Sequence, residues 1–280
     1  MKLLRHGPDG AEKPGLLHSD GTIRDLSGLV PDIGGAVISD VGLAMLRGLD
    51  AATLPVVDAT TRLGPCVTGT GKFICIGLNY SDHAAETGAK VPPEPIIFMK
   101  ATSAIVGCND PIIIPRTSVK TDWEVELAVI IGKKAKYVSE ADAMDYVAGY
   151  AITNDVSERA FQAERAGQWT KGKSCDNFGQ IGPWLVTRDE VADPQDLAMW
   201  LTVNGISRQN GSTRTMVYGV KFLISYLSQF MTLHPGDVIS TGTPPGVGLG
   251  MKPPQFLKAG DVVELGIAGL GQQRQNVIAD

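Results

Sequence analysis

No stretch of this sequence stays apolar long enough to cross a bilayer, and the N-terminus meets Arg5, His6, Pro8 and Asp9 before a signal-peptide core can form. A cytoplasmic location is therefore expected, and a membrane partner is not. Cysteine is scarce and dispersed. Cys66, Cys75, Cys108 and Cys175 make no Cys-x-x-Cys pair, which argues against both a zinc site and a disulfide framework and leaves reduced thiols. Nothing near any of them marks an activated nucleophile. There is no basic stripe and no interleaving of arginines with aromatics, and the net charge of −5 is spread along the chain, so nucleic acid is not an expected partner. Blocks of like charge, which would signal disorder, are missing, as is any internal repeat at a solenoid period.

What remains is the makeup of an ordinary globular protein: 280 residues, 43% hydrophobic and 20% charged, enough to bury a sizeable core. The 33 glycines and 17 prolines favour a turn-rich fold with many short strands. Residues 1–68 read as a small, mostly β N-terminal domain, and residues 69–280 as a larger one; the boundary falls in the small and polar stretch containing Gly64-Pro65 and Gly69-Thr70-Gly71. Strands are expected at 73–77, 95–100, 111–115, 125–131, 149–155, 201–204, 237–240 and 262–267. Helices are expected from Tyr80 to Gly88, from Ser139 to Val147, and from Met216 to Phe230, the last burying Val217, Val220, Ile224 and Leu227. Strands outnumber helices without alternating regularly with them. The expected class is mixed α/β and β-rich, and not a doubly wound sheet or an eight-fold barrel.

Chemistry concentrates in a few places. In Asp122-Trp123-Glu124-Val125-Glu126 the two glutamates share one face of a strand whose same face continues into Ala128 and Ile130. They are either exposed carboxylates on an edge strand or charges held at the end of a buried one, where a divalent cation would compensate them. Asp155, at the polar end of another apolar run, is either a helix N-cap or a third oxygen ligand for a hard cation such as Mg²⁺, Mn²⁺ or Ca²⁺. His83 and Glu86 stand three apart, so a helix would let the carboxylate orient the imidazole as a general base; a surface salt bridge is the plainer alternative. Lys171 and Lys173 lie in a stretch too glycine-rich for a helix interior, where a lysine could neutralise a substrate carboxylate or simply be solvated. Thr241-Gly242-Thr243-Pro244-Pro245-Gly246-Val247-Gly248 lacks the Lys-Ser ending of a P-loop, and Pro253-Pro254 forbids the following helix. A turn offering backbone amides to a small anion stays open.

Taken in order, GLNYSDHAAE, PIIFMK, DWEVELAVIIGK, DYVAGYAITNDVSER, WTKGKS, IGPWLVT, LTVNG, GDVISTGTPPGVG and AGDVVEL resemble the fumarylacetoacetate hydrolase family from about Lys72 to Ile267. The resemblance implies that family's β-roll with a small N-terminal domain, and a homodimer. It implies Glu124, Glu126 and Asp155 as ligands of Mg²⁺ or Mn²⁺, and His83 with Glu86 as the catalytic dyad beside Lys173. Substrate contacts are implied for Tyr80, Lys100, Arg159, Gln162, Gly242 and Thr243. Ala160 departs from an aspartate common in the family, which leaves the surroundings of Arg159 open. The implied reaction is hydrolysis of the C3–C4 bond of a 2,4-diketo acid to pyruvate and a carboxylic acid. The patterns Gly-Lys-Ser-Cys-Asp-Asn-Phe-Gly and Gly-Leu-Gly-Gln-Gln-Arg-Gln are most similar to members acting on 2,4-diketo-3-deoxy sugar acids such as L-fuconate or L-rhamnonate derivatives, often labelled ureidoglycolate lyases. Oxaloacetate-type decarboxylation, diene-dioate tautomerisation and ureidoglycolate lysis on the same site are the alternatives. A non-catalytic, metal-stabilised binding domain is the alternative of another class.

Overall fold

A computed structural model describes residues 1–82 and 92–280. The large sheet of the fold runs Val56–Val57, Ile23–Asp25, Lys13–Leu17, Lys2–His6, Gly179–Thr187, Val147–Asp155, Val125–Ile131, Val238–Ser240, Phe73–Gly77, Ile96–Lys100, with Ile105–Gly107 added parallel to Gly179–Thr187. A second sheet runs Ile206–Ser212, Ala198–Val203, Val262–Ile267, Gly271–Ala279, Ile112–Ile114. The β-rich expectation holds. The N-terminal residues are stitched into the same large sheet, since Lys2 and Leu3 pair with Val186 and Leu185.

The strand Val125–Ile131 lies at the centre of this sheet, antiparallel to Val147–Asp155 on one side and to Val238–Ser240 on the other. Period-2 alternation sends its two faces into two different cores. Trp123, Val125, Leu127, Val129 and Ile131 pack with Ile224, Leu227 and Leu265, while Ala128 and Ile130 pack with Leu3, Phe73 and Ile181. Every residue of the strand is buried, so an edge position for Glu126 is excluded.

Two helices differ from expectation. Instead of a helix from Ser139 to Val147 there is a turn followed by the 3₁₀ segment Ala143–Tyr146. The Ser139 hydroxyl donates to Asp142 Oδ2 (2.7 Å) and accepts from Asp142 N (3.2 Å), closing a local turn that competes with helical bonding. The long amphipathic helix begins only at Val220 and ends at Phe230. Asn79 explains its late start. Its Oδ1 accepts from Tyr218 N (2.9 Å) and its Nδ2 donates to Tyr218 O (3.0 Å) and Thr241 O (2.7 Å), clamping the backbone just ahead of the helix. Val220, Ile224 and Leu227 are buried as expected, whereas Val217 lies outside the helix. The helix expected from Tyr80 is described only at Ser81 and Asp82. No helix among the described residues is long and apolar enough to cross a membrane.

Candidate metal and active centre

Glu124, Glu126 and Asp155 converge. Each offers a carboxylate oxygen within 4.8 Å of the others, and all three side chains are buried. The local fold brings this about. Glu126 stands on the central strand, Glu124 just before it, and Asp155 ends the neighbouring strand Val147–Asp155, its N–H donating to Glu124 O (2.9 Å). Asn154 fixes the start of the central strand by accepting Glu124 N–H at its Oδ1 (3.1 Å). Its Nδ2 in turn donates to Gln275 Oε1 (2.9 Å), and Gln275 Nε2 donates to Gln273 Oε1 (2.8 Å).

Buried cations surround the cluster. Lys173 Nζ bridges Glu124 Oε2 (2.8 Å) and Asp155 Oδ2 (2.7 Å). Arg159 reaches Glu124 Oε1 through Nη2 (2.7 Å), Asp122 Oδ2 through Nε (2.8 Å), and Gln162 Oε1 through Nη1 (3.2 Å). Lys100 Nζ lies 2.6 Å from Asp155 Oδ1 and donates to Val156 O (2.9 Å) and Lys173 O (2.7 Å). Burial pulls the Lys173 ammonium down, but Asp155 and Glu124 outweigh it and the net direction is up, so Lys173 is a fixed cation and not a base. Glu126 has no basic partner among the described residues; it accepts from the Ser240 hydroxyl and from Gly242 N–H (2.8 Å). Burial, reinforced by Asp155 and Glu124, drives its carboxyl well above the ordinary range. The four buried carboxylates Asp122, Glu124, Glu126 and Asp155 thus face three buried cations. A convergent all-oxygen donor set, with Glu126 lacking a cationic partner among the described residues, fits a hard divalent cation such as Mg²⁺ or Mn²⁺.

The glycine-rich turn after Val238–Ser240 does offer its amides to anions, but the anions are the protein's own carboxylates. Gly242 N–H is committed to Glu126, while Gly248 N–H (2.7 Å) and Leu249 N–H (2.9 Å) are committed to Asp122. Hydroxyls extend the ladder where the strand stops: Thr241 Oγ1 donates to Leu127 O (2.9 Å) and Thr243 Oγ1 to Val125 O (2.9 Å). Gly242 sits at φ +98°, and a Cβ there would lie 2.8 Å from Asn79 Cβ. Gly242→Ala is therefore expected to cost about 1–3 kcal/mol, read as a lower urea midpoint at unchanged slope, because it strains the backbone and displaces Asn79 together.

A cavity of about 270 Å³ opens over Glu124 and Glu126. Arg159, Gln162, Lys173 and Thr243 border it, and the remaining wall includes Leu78, Phe98, Trp169, Val247 and Leu249. Phe98 and Trp169 meet edge to face with centroids 5.2 Å apart. Trp169 rests on Gly77, where a Cβ would come within 2.5 Å of the indole. Leu78 holds a left-handed backbone (φ +52°) where the chain leaves the strand Phe73–Gly77 for the cavity rim.

Two implied substrate contacts are placed elsewhere. Tyr80 is fully buried and its hydroxyl donates to Met199 Sδ (3.3 Å). The Lys100 ammonium stands behind Asp155, saturated by that carboxylate and two carbonyls, and supports the carboxylate cluster from behind. His83 and Glu86 lie outside the described residues. Lys173 ends a single helical turn, Thr170–Lys173, instead of lying in an open loop. Ala160 does not loosen Arg159, which Asp122 and Glu124 secure, and its N–H donates to Glu158 Oε1 (2.9 Å). Burial raises the Cys75 thiol, carries Cys108 up to about 12 and Cys175 up to about 11, so none of them is a thiolate at neutral pH.

Sequence reasoning gave no role to Asp122, Phe98 or Trp169. Asp122 had a signal, standing two residues before Glu124 in the same segment; the aromatic pair had none, because only the fold brings residues 98 and 169 together.

The sequence profile of the fumarylacetoacetate (FAA) hydrolase C-terminal family matches residues 72–278. A curated relative from Burkholderia multivorans, whose name goes no further than a provisional hydrolase, is 66% identical over 276 residues, covering 98% of each chain. Among solved structures, the fumarylacetoacetate hydrolase of Exiguobacterium antarcticum is 36% identical with a TM-score of 0.84, over the full length of both chains. The maleylpyruvate hydrolase of Sphingobium sp. SYK-6, solved with manganese(II) and pyruvate, is 31% identical with a TM-score of 0.82, covering 100% of this chain and 99% of its own. The 2-hydroxyhepta-2,4-diene-1,7-dioate isomerase of Mycobacterium marinum is 34% identical with a TM-score of 0.77, with the same coverage.

Proposed function

The chain belongs to the fumarylacetoacetate hydrolase family, and on that premise we propose that it is a metal-dependent hydrolase cleaving the C3–C4 bond of a 2,4-diketo acid to pyruvate and a carboxylic acid. The observation that carries this reading is the buried convergence of Glu124, Glu126 and Asp155 beside Lys173 at the floor of the cavity. These three carboxylates would hold Mg²⁺ or Mn²⁺, which when bound supplies Lewis-acid polarisation of the substrate's oxygens. Lys173, held cationic, offsets negative charge gathering at the pyruvate end. Arg159 keeps Glu124 and Gln162 in register at the cavity wall. His83, oriented by Glu86, would take a proton from water as its oxygen attacks C4; the electron pair of the broken C3–C4 bond passes to the pyruvate half, which is then protonated at C3.

Removing the base separates this reading from a purely structural one. His83→Ala should lower turnover by about a hundred- to ten-thousand-fold, the usual worth of general base catalysis, while leaving metal-dependent thermal stabilisation unchanged. A variant with full turnover would remove His83 from the chemistry.

The narrower sugar-acid substrate has less support than the reaction type. Away from the carboxylates the cavity wall is largely aliphatic and aromatic, through Leu78, Phe98, Trp169, Val247 and Leu249. Sugar hydroxyls would find few partners there among the described residues, so acylpyruvates with tails of low polarity come first. The test is kcat/KM for the Mg²⁺- or Mn²⁺-loaded protein across acylpyruvates, diketo-deoxy sugar acids, maleylpyruvate, oxaloacetate and a diene-dioate. An apolar acylpyruvate is expected to exceed the sugar acids by at least tenfold. Turnover of the diene-dioate alone would replace hydrolysis with tautomerisation.

A further inference from the structure

A second cavity, of about 660 Å³, is bordered by Trp123, which does not line the first. Arg208 commands it. In the pairing of Ile206–Ser212 with Ala198–Val203, Leu201 faces Gln209 and Thr202 faces Ser207, so Arg208 is the extra residue of a β-bulge, the device that re-aims a side chain out of a sheet. Its backbone is pinned against Gly246, where a Cβ would lie 1.9 Å from Arg208 O. The guanidinium sits 5.9 Å from the centroid of the Trp123 ring, which is fixed in turn by donation from Trp123 Nε1 to Gly246 O (3.1 Å).

No carboxylate among the described residues neutralises this guanidinium. Its Nε is buried without a hydrogen-bond partner, and Nη1 makes only a weak contact to Met251 Sδ (3.7 Å). Lys258 adds a second cation to the wall. The acid in the same wall, Asp261, is turned toward Asn204 Nδ2 (2.9 Å) and Lys258 N (2.8 Å), from which it accepts, and forms no ion pair with Arg208. In a protein of net charge −5, a partly buried, unpaired guanidinium at a bulge is a costly arrangement unless something anionic meets it.

We infer that this second cavity is a binding site for a small organic carboxylate, its oxygens taken by Arg208 with support from Lys258 and its apolar body laid against Val119, Trp123 and Phe256. The planar guanidinium suits bidentate carboxylate recognition, and a ring or branched chain matches the apolar part of the wall. Inorganic phosphate shares the charge and not the apolar body.

Calorimetric titration of the full-length protein with benzoate and, separately, with inorganic phosphate tests this. Benzoate is expected to bind saturably and at least threefold tighter than phosphate, with Arg208→Gln weakening it at least tenfold and the exposed Lys258→Gln about threefold. Glu126→Gln, which alters the catalytic cavity, should leave benzoate affinity within twofold. No saturable binding, a preference for phosphate, or equal affinity in the folded Arg208→Gln and Lys258→Gln variants would overturn the assignment. So would loss of binding in Glu126→Gln, which would move the anion to the catalytic cavity.

Discussion

Replacing Glu126 by glutamine is expected to leave the metal-free protein as stable as the parent, or more so, while cancelling the thermal stabilisation conferred by Mg²⁺ or Mn²⁺. Glu126 is the carboxylate of the cluster with no basic partner among the described residues, and burial with Asp155 and Glu124 disfavours its charge. Glutamine keeps the shape and an acceptor for the Ser240 hydroxyl and Gly242 N–H, and it removes the like-charge repulsion. A cation loses a charged ligand by the same change. At a metal concentration of a hundred dissociation constants, binding stabilises the folded state by about 2.7 kcal/mol. At about 2–4 °C per kcal/mol for a chain approaching this size, the parent should gain about 5 °C or more, and Glu126→Gln almost nothing. Melting curves with and without Mn²⁺ read this directly, without a substrate. A variant keeping the full shift would take Glu126 out of the metal site.

The second large effect is structural and falls on Asp122, whose two oxygens accept Trp123 N–H (2.8 Å), Gly248 N–H (2.7 Å), Leu249 N–H (2.9 Å) and Arg159 Nε (2.8 Å). Asp122→Ala takes one of its two carboxylates from the buried Arg159 guanidinium and strands the turn's amides at once. Removing one partner of a buried ion pair costs about 3–5 kcal/mol, so the melting temperature should drop by about 10 °C, and activity should fall with it because Arg159 loses one of the two carboxylates that fix its position against Glu124. The exposed pair Arg214–Asp196 is the control: Asp196→Ala should change stability by less than about 1 kcal/mol. Similar losses at both positions would mean that Asp122 is no keystone of the turn.

Much of this centre is legible in the sequence. The alternation through Glu124 and Glu126 already required one face to be shared, since period-2 geometry fixes it, while the continuation of that face into Ala128 and Ile130 favoured burial without deciding between an edge and a central strand. Those two residues do pack into one core while Trp123 and Val125 enter the other. Local pattern misled where a short-range bond competed with propensity, as Ser139 and Asp142 show, or where a distant side chain fixed the backbone, as Asn79 does ahead of Val220. Nothing in the spacing could reveal that Lys100 serves the carboxylates from behind or that Trp169 closes over Gly77, since both depend on contacts between segments far apart in the chain.

The line of amides from Gln273 through Gln275 and Asn154 to the backbone of Glu124 has a practical side. It makes the last strand, Gly271–Ala279, a remote foundation of the catalytic floor although none of its side chains borders the cavity. A substitution at Gln273 therefore reaches Glu124 through three hydrogen bonds, and one at Gln275 through two.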